Sequence, residues 1–130
     1  MIAIVVRKDY QPDDSKFITP SDSTQDVGFL KYKKDHAVKP HTHPAHKRVI
    51  FGTPETVLVK TGKIKYSFYN SEGKFITSEV LTEGDVVVLI SGGHGQKFLE
   101  ETVVLVVKQG PYLGEKDKVF IEVNKKNSSR

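Results

Sequence analysis

Short apolar runs separated by turn residues follow one another along most of this chain. Between residues 63 and 69 the pattern alternates: Ile64, Tyr66 and Phe68 lie on one face, and the other, solvent face carries Lys63, Lys65, Ser67 and Tyr69. An alternation of period two is typical of a half-buried strand. This alternation and the short apolar runs together predict strands at residues 2–6, 28–32, 54–59, 63–69, 74–81, 86–90, 102–107 and 119–123.

Turn signals lie between these runs, at residues 61–62, 70–73 and 82–85, and each contains a glycine. No stretch combines amphipathic spacing with helix caps. Strands at this spacing without helices predict an all-β sandwich or barrel. We divide the chain into an N-terminal strand with a polar, Asp- and Pro-containing arm (1–26), a β-rich body (27–123) and a polar, loose tail (124–130).

Composition narrows the class of protein. The net charge is +4, but the lysines are scattered and alternate with apolar residues instead of forming a basic patch. This pattern disfavours nucleic-acid binding. The N-terminal apolar run is too short for a signal peptide or a membrane span, so we expect a soluble cytoplasmic protein. Because there is no cysteine, the chain has no disulfides and no thiolate metal site.

The strongest chemical signal is a cluster of histidines. His41-Thr42-His43 is bracketed by Pro40 and Pro44, which favour extended backbone. In a strand, His41 and His43 would share a face, with Cα atoms roughly 7 Å apart. Two imidazoles need further ligands to bind a divalent metal. Glu55, at the start of the next strand, and His94, after the apolar run 86–90, are the candidates, since distant strands face each other across a small barrel.

These residues resemble the motifs of the cupin superfamily, which consists of small β-barrels that often hold one metal. His41 and His43 match the paired histidines of the first motif, and Glu55 and Gly62 match its Glu and Gly. Gly84, Gly92 and His94 match the second motif in part. The resemblance implies a single-domain cupin-type β-barrel, that is, a double-stranded β-helix or jelly roll. Residues 44–54 form an insertion between His43 and Glu55 relative to the family.

The resemblance also implies one divalent metal (Fe, Mn, Zn, Ni or Cu) and a homodimer. The apolar strands 86–90 and 102–107 need cover on both faces, which a barrel interior and a dimer face would supply. A metalloprotein of this kind would act on a small sugar-like or oxo-acid substrate as an isomerase or epimerase. An iron-dependent dioxygenase and a non-catalytic module that binds a small ligand such as a carbohydrate are the alternatives.

Further residues are assigned to this predicted site. His46 and Tyr66 are the candidate acid or base, and Arg48, Gln96 and Phe98 are the candidate substrate contacts. Simpler roles stay open for several of them. His41 and His43 would also suit an exposed surface strand, and His94 would suit a glycine-rich turn. Arg48 would suit an ordinary surface position, and Tyr66 would suit a place in the core.

Overall fold

The structure, a computed structural model, describes residues 1–122, so the predicted tail 124–130 and Val123 lie outside the described residues. The contacts divide the chain into two compact units. Among the described residues, one comprises Met1–Tyr10 and residues 53–122, and the other comprises Gln11–Gly52. The elements are β1 (Ala3–Val6), β2 (Lys16–Phe17), β3 (Gly28–Phe29), β4 (Glu55–Thr61), β5 (Lys63–Tyr69), β6 (Phe75–Thr82), β7 (Val86–Leu89), β8 (Gly93–Phe98), β9 (Val103–Lys108) and a 3-10 helix (Gly114–Asp117).

The larger unit contains two antiparallel sheets. One has the strand order β1-β7-β4-β9, and the other has the order β6-β5-β8. Both sheets contribute to one core, formed by Val57, Val59, Val87 and Leu89 from the first and by Ile64, Tyr66, Phe68 and Leu81 from the second. The all-β prediction is confirmed. Within residues 1–122, however, no sheet closes into a barrel, and the arrangement is sandwich-like.

The alternation in β5 produces this core directly. Ile64 and Tyr66 are fully buried and Phe68 is nearly so, because all three point from the pleated strand towards the opposite sheet. Tyr69 was predicted on the solvent face but is buried. It packs against Phe75, with ring centroids 5.8 Å apart, and the neighbouring strand presents Gly93 and Gly95, which have no side chains to push it outward.

The smaller unit has little regular structure. β2 and β3 form a two-stranded antiparallel sheet, and the Ile18 amide donates a hydrogen bond to the Val27 carbonyl beyond it. Residues 30–54 contain no strand, so the strand predicted at 28–32 ends at Phe29, and His41-Thr42-His43 does not lie in a strand. The prolines on either side lack the N–H group that a strand would need for its ladder of hydrogen bonds.

Two other strand predictions differ from the structure. β8 was not predicted, because its sequence GHGQKF lacks the β-branched residues that mark strands. Conversely, residues 119–122 form no strand. No helix among the described residues is long and apolar enough to cross a membrane.

Candidate functional site

Glu55 and His94 come together where the two sheets of the larger unit face each other. Glu55 is the first residue of β4 and shares the inner face of its sheet with Val57 and Val59. His94 lies on β8, where it pairs with the buried Phe68 of β5. The Nε2 atom of His94 lies 3.3 Å from Oε2 of Glu55. Their side chains are 33% and 20% exposed, so the pair is open to a ligand from solvent.

The turn before β8 fixes the position of His94. Gly92 has a φ of +68°, in the left-handed region that favours glycine. A Cβ atom there would lie 2.2 Å from the carbonyl oxygen of Tyr69, so no side chain fits. This close approach lets β8 begin directly beside the end of β5 and brings His94 opposite Phe68.

Tyr66 and Gln96 lie next to the pair on the smaller sheet. They are partners in the β5–β8 register, and the Gln96 amide donates a 2.8 Å hydrogen bond to the Tyr66 hydroxyl oxygen. The ring centroids of Tyr66 and His94 are 6.3 Å apart. Burial raises the pKa of Tyr66 to about 12, with the negative charge of Glu55 acting in the same direction and the Gln96 bond opposing it. The Tyr66 hydroxyl therefore stays protonated at neutral pH.

A lysine completes the polar cluster. Lys108, the last residue of β9, pairs with Glu55 across the strands, and its Nζ donates to Oδ2 of Asp117 at 3.0 Å. This hydrogen bond is the main cause that raises the pKa of Lys108. Lys108 and Asp117 were not predicted as site residues from the sequence. The available signal was a cation placed directly after the apolar run 102–107.

Charges around Glu55 keep it ionised. The hydrogen bond with His94 is the main cause that lowers the pKa of Glu55 below its ordinary value of 4.5. Partial burial opposes this effect, and the electrostatic interactions with His94, Lys108 and Lys118 reinforce it. A carboxylate that stays charged at neutral pH is suited to bind a cation or to hold an imidazolium ion.

The remaining predicted site residues are exposed. His41 and His43 belong to the unit Gln11–Gly52, with their rings edge to face and centroids 5.2 Å apart. His46 and Arg48 lie in the same segment without regular structure. Phe98, at the far end of β8, pairs with Ile64 and is 52% exposed. Over residues 1–122, no group of three or more His, Cys, Asp or Glu side chains is arranged to hold a metal ion.

The arrangement of Glu55 and His94 fits two ligands of one metal. Two donor atoms that each lie about 2.1 Å from one ion are about 3.0 Å apart when the donor–ion–donor angle is octahedral. They are about 3.4 Å apart when this angle is tetrahedral. The observed 3.3 Å falls in this interval, and it also allows a hydrogen bond that is longer than the about 2.7–2.9 Å of a strong charge-assisted one. Carboxylate and imidazole together suit the first-row divalent ions.

Comparisons with known proteins add no family assignment. A scan against protein-family models and searches of curated proteins and of solved structures found no match to this chain.

Proposed function

We propose that this protein binds one divalent metal through Glu55 and His94 and acts on a small oxo-acid or sugar-like substrate. The single observation that supports the proposal best is the 3.3 Å separation of the two donor atoms at a half-exposed position between two sheets. A cupin-type jelly roll remains our proposal for the fold, supported by two antiparallel sheets that share one core.

Two ligands leave a divalent ion under-coordinated, and we assign His41 and His43 to further positions on sequence grounds. One local feature supports His41. Its Nδ1 lies 2.8 Å from the carbonyl oxygen of Lys39, to which it must donate. The tautomer with Nδ1 protonated leaves a lone pair on Nε2, and histidine ligands commonly hold their second nitrogen in this way.

The chemistry that we propose is isomerisation or epimerisation. A divalent ion at this site would supply Lewis-acid polarisation of a carbonyl or enediol oxygen. Tyr66, with its pKa near 12, holds a proton that it can donate to a developing oxyanion, while Gln96 fixes the position of its oxygen. The positive charge of Lys108 beside Glu55 favours an anionic substrate such as an oxo acid.

Metal content tests this proposal. Untagged protein, incubated with iron, manganese, zinc, nickel or copper salts and then desalted, is expected to retain about one ion per chain by elemental mass spectrometry. The His41→Ala/His43→Ala variant is expected to retain less, because it loses two proposed ligands, and His36→Ala serves as a histidine control. No retained metal with any of the five ions would contradict the proposal.

The retained element then selects the assay. Iron with substrate-dependent oxygen uptake would assign dioxygenase chemistry in place of isomerisation. Conversion of an oxo acid or aldose without oxygen uptake would support the isomerase, and stoichiometric binding of an unchanged ligand would assign a binding module.

The exposed edge of β9 supports the proposed homodimer. β9 is an edge strand, and Val103, Leu105 and Val107 are each more than half exposed. Residues 103–107 read VVLVV, the same in both directions. Antiparallel pairing with a second copy about a two-fold axis at Leu105 would therefore match each residue with an identical one, as an isologous interface requires.

Leu105→Lys is expected to convert this dimer to a monomer, since two lysines would face each other at the axis. Light scattering after size-exclusion chromatography measures the mass. Ile76→Lys is the matched control, because Ile76 is an equally exposed apolar residue on the edge strand β6. A wild-type protein that is monomeric at micromolar concentration, or a dimeric Leu105→Lys variant, would rule out this interface.

A further inference from the structure

The segment after the 3-10 helix runs from one sheet of the larger unit to the other. Residues 118–121, which we call the strap, follow Asp117 and belong to no helix or strand. Asp117 is bonded to Lys108 at the end of β9, and Ile121 reaches Gly93 at the start of β8. Because β8 and β9 are edge strands of different sheets, the strap crosses the gap between the two sheets at this end.

The first end of the strap is held by a buried ion pair. Nζ of Lys108 donates a 3.0 Å hydrogen bond to Oδ2 of Asp117, whose side chain is 7% exposed. Nζ also lies 5.0 Å from the ring centroid of Tyr112, within the range of a cation–π interaction. Separation of this pair would leave a buried carboxylate without its counter-charge, so this end of the strap is a fixed point.

The second end of the strap is held by an apolar side chain. Ile121 packs so closely on Gly93 that a Cβ atom at Gly93 would collide with Cδ1 of Ile121. A Cβ atom at Gly73, in the turn between β5 and β6, would lie 3.0 Å from Cγ2 of the same isoleucine. Val119 and Phe120, by contrast, are 92% and 91% exposed. Within the strap, Ile121 is therefore the residue that attaches it to the second sheet.

The strap passes beside the Glu55–His94 pair. Gly93, which Ile121 contacts, immediately precedes His94 in β8. The hydrogen bond with His94 is the main cause of the lowered pKa of Glu55, and the charge of Lys118 contributes to it. Lys118 therefore lies within electrostatic reach of the carboxylate. A segment with these neighbours borders the opening through which a solute reaches the pair.

We infer that the strap is a gate, which turns about the fixed point at Asp117 and opens the gap beside His94 when Ile121 leaves Gly93 and Gly73. The difference between the two ends carries the inference. Burial of part of one isoleucine side chain favours the attached form by only roughly tenfold, so a detached form is populated as well. The gate goes beyond the proposed function and needs no metal, because it controls the access of any solute to His94.

A pair of engineered cysteines tests the gate, because the chain has no cysteine of its own. In Gly93→Cys/Ile121→Cys, oxidation to a disulfide locks the strap in its attached form. Diethyl pyrocarbonate then modifies the accessible histidines, and peptide mass spectrometry measures the rate at each one. His94 is 33% exposed with the strap attached. It is expected to react about two- to threefold faster in the reduced, desalted protein than in the oxidised protein, since detachment exposes more of its ring.

Matched controls separate gating from other effects. His36, exposed in the other unit, is expected to react at the same rate in both redox states. Gly93→Cys/Phe120→Cys moves the second thiol to the neighbouring, exposed position and is expected to form little disulfide under the same oxidation. Without any cross-link, Ile121→Ser is expected to raise the rate at His94 above that of the wild type, and Phe120→Ser is expected to leave it unchanged.

Two results would overturn the inference. The first is that Gly93→Cys/Ile121→Cys forms its disulfide no more readily than Gly93→Cys/Phe120→Cys, since the contact of Ile121 with Gly93 would then be absent in solution. The second is an equal rate of His94 modification in the oxidised and reduced forms, since the strap would then not limit access. Neither measurement involves a metal, so the outcome is independent of the proposed function.

Discussion

Glu55→Gln and His94→Ala are each expected to weaken divalent-metal binding by at least about 100-fold, since changes at the partners of metal ligands alone typically cost about 10–100-fold. Glu55→Gln keeps the shape of the side chain and removes its negative charge. His94→Ala removes the imidazole nitrogen that lies 3.3 Å from the Glu55 oxygen. Competition with a chromogenic chelator measures the affinity for zinc and manganese.

The same substitutions are expected to leave the protein folded. The pair is partly solvated, and exposed ion pairs contribute only about 0–1 kcal/mol to stability. Urea unfolding of the metal-free variants should therefore agree with the wild type to within about 1 kcal/mol. Glu83→Gln, in an exposed turn, is the control for loss of one carboxylate. If either Glu55→Gln or His94→Ala binds metal with the affinity of the wild type, the assignment of that residue as a metal ligand is contradicted.

Asp85→Ala is expected to lower the free energy of unfolding by about 2–4 kcal/mol, because two backbone N–H groups lose their acceptor at a cost of about 1–3 kcal/mol each. Asp85 is 4% exposed. Oδ1 accepts a hydrogen bond from the Lys8 amide, and Oδ2 accepts one from the Thr82 amide, both at 2.9 Å. Arg7 lies 3.4 Å from the same carboxylate. The substitution leaves two backbone N–H groups without their acceptor and detaches the end of β1 from the turn between β6 and β7.

Urea unfolding at neutral pH measures this loss. Glu83→Ala, two residues away and exposed, should change the stability by no more than about 0.5 kcal/mol. A loss below about 1 kcal/mol in Asp85→Ala would show that water or a rearranged turn replaces the carboxylate.

The stability should also depend on pH in the acid range, with a defined sign. Burial alone would raise the pKa of Asp85, but the bonds from Thr82 and Lys8 and the charge of Arg7 together hold it below its ordinary value of 3.8. A lowered folded-state pKa gives stability that is present above the unfolded-state pKa and lost as pH falls through the folded-state value. Wild-type stability should therefore decline below about pH 4, and that of Asp85→Asn should decline less steeply.

The local pattern of residues determined much of the secondary structure. The strict alternation of residues 63–69 predicted β5 with its observed bounds and correctly placed Ile64, Tyr66 and Phe68 in the core. The β-branched runs predicted β4, β7 and β9 to within a few residues. These predictions succeeded because side-chain alternation and chain-breaking turns are properties of neighbouring residues.

The same local reasoning failed where strands depend on distant partners. β8 is rich in glycine and polar residues, and its pairing with β5 stabilises it. His41-Thr42-His43 lies in a segment without strands, and the prolines on both sides of it cannot donate backbone hydrogen bonds to a neighbouring strand. A strand obtains its hydrogen bonds from another segment, and a local pattern does not reveal which segment that is.

For the candidate site, the sequence by itself selected Glu55 and His94 as residues with the right chemistry, and the tertiary structure decided that they meet. Their proximity depends on the β5–β8 register, on the close turn at Gly92 and on two sheets that share one core. The same packing brought Lys108 and Asp117 beside them. Residue types follow from the chain alone, but distances between far-separated residues follow from strand register and sheet packing, which only the folded chain defines.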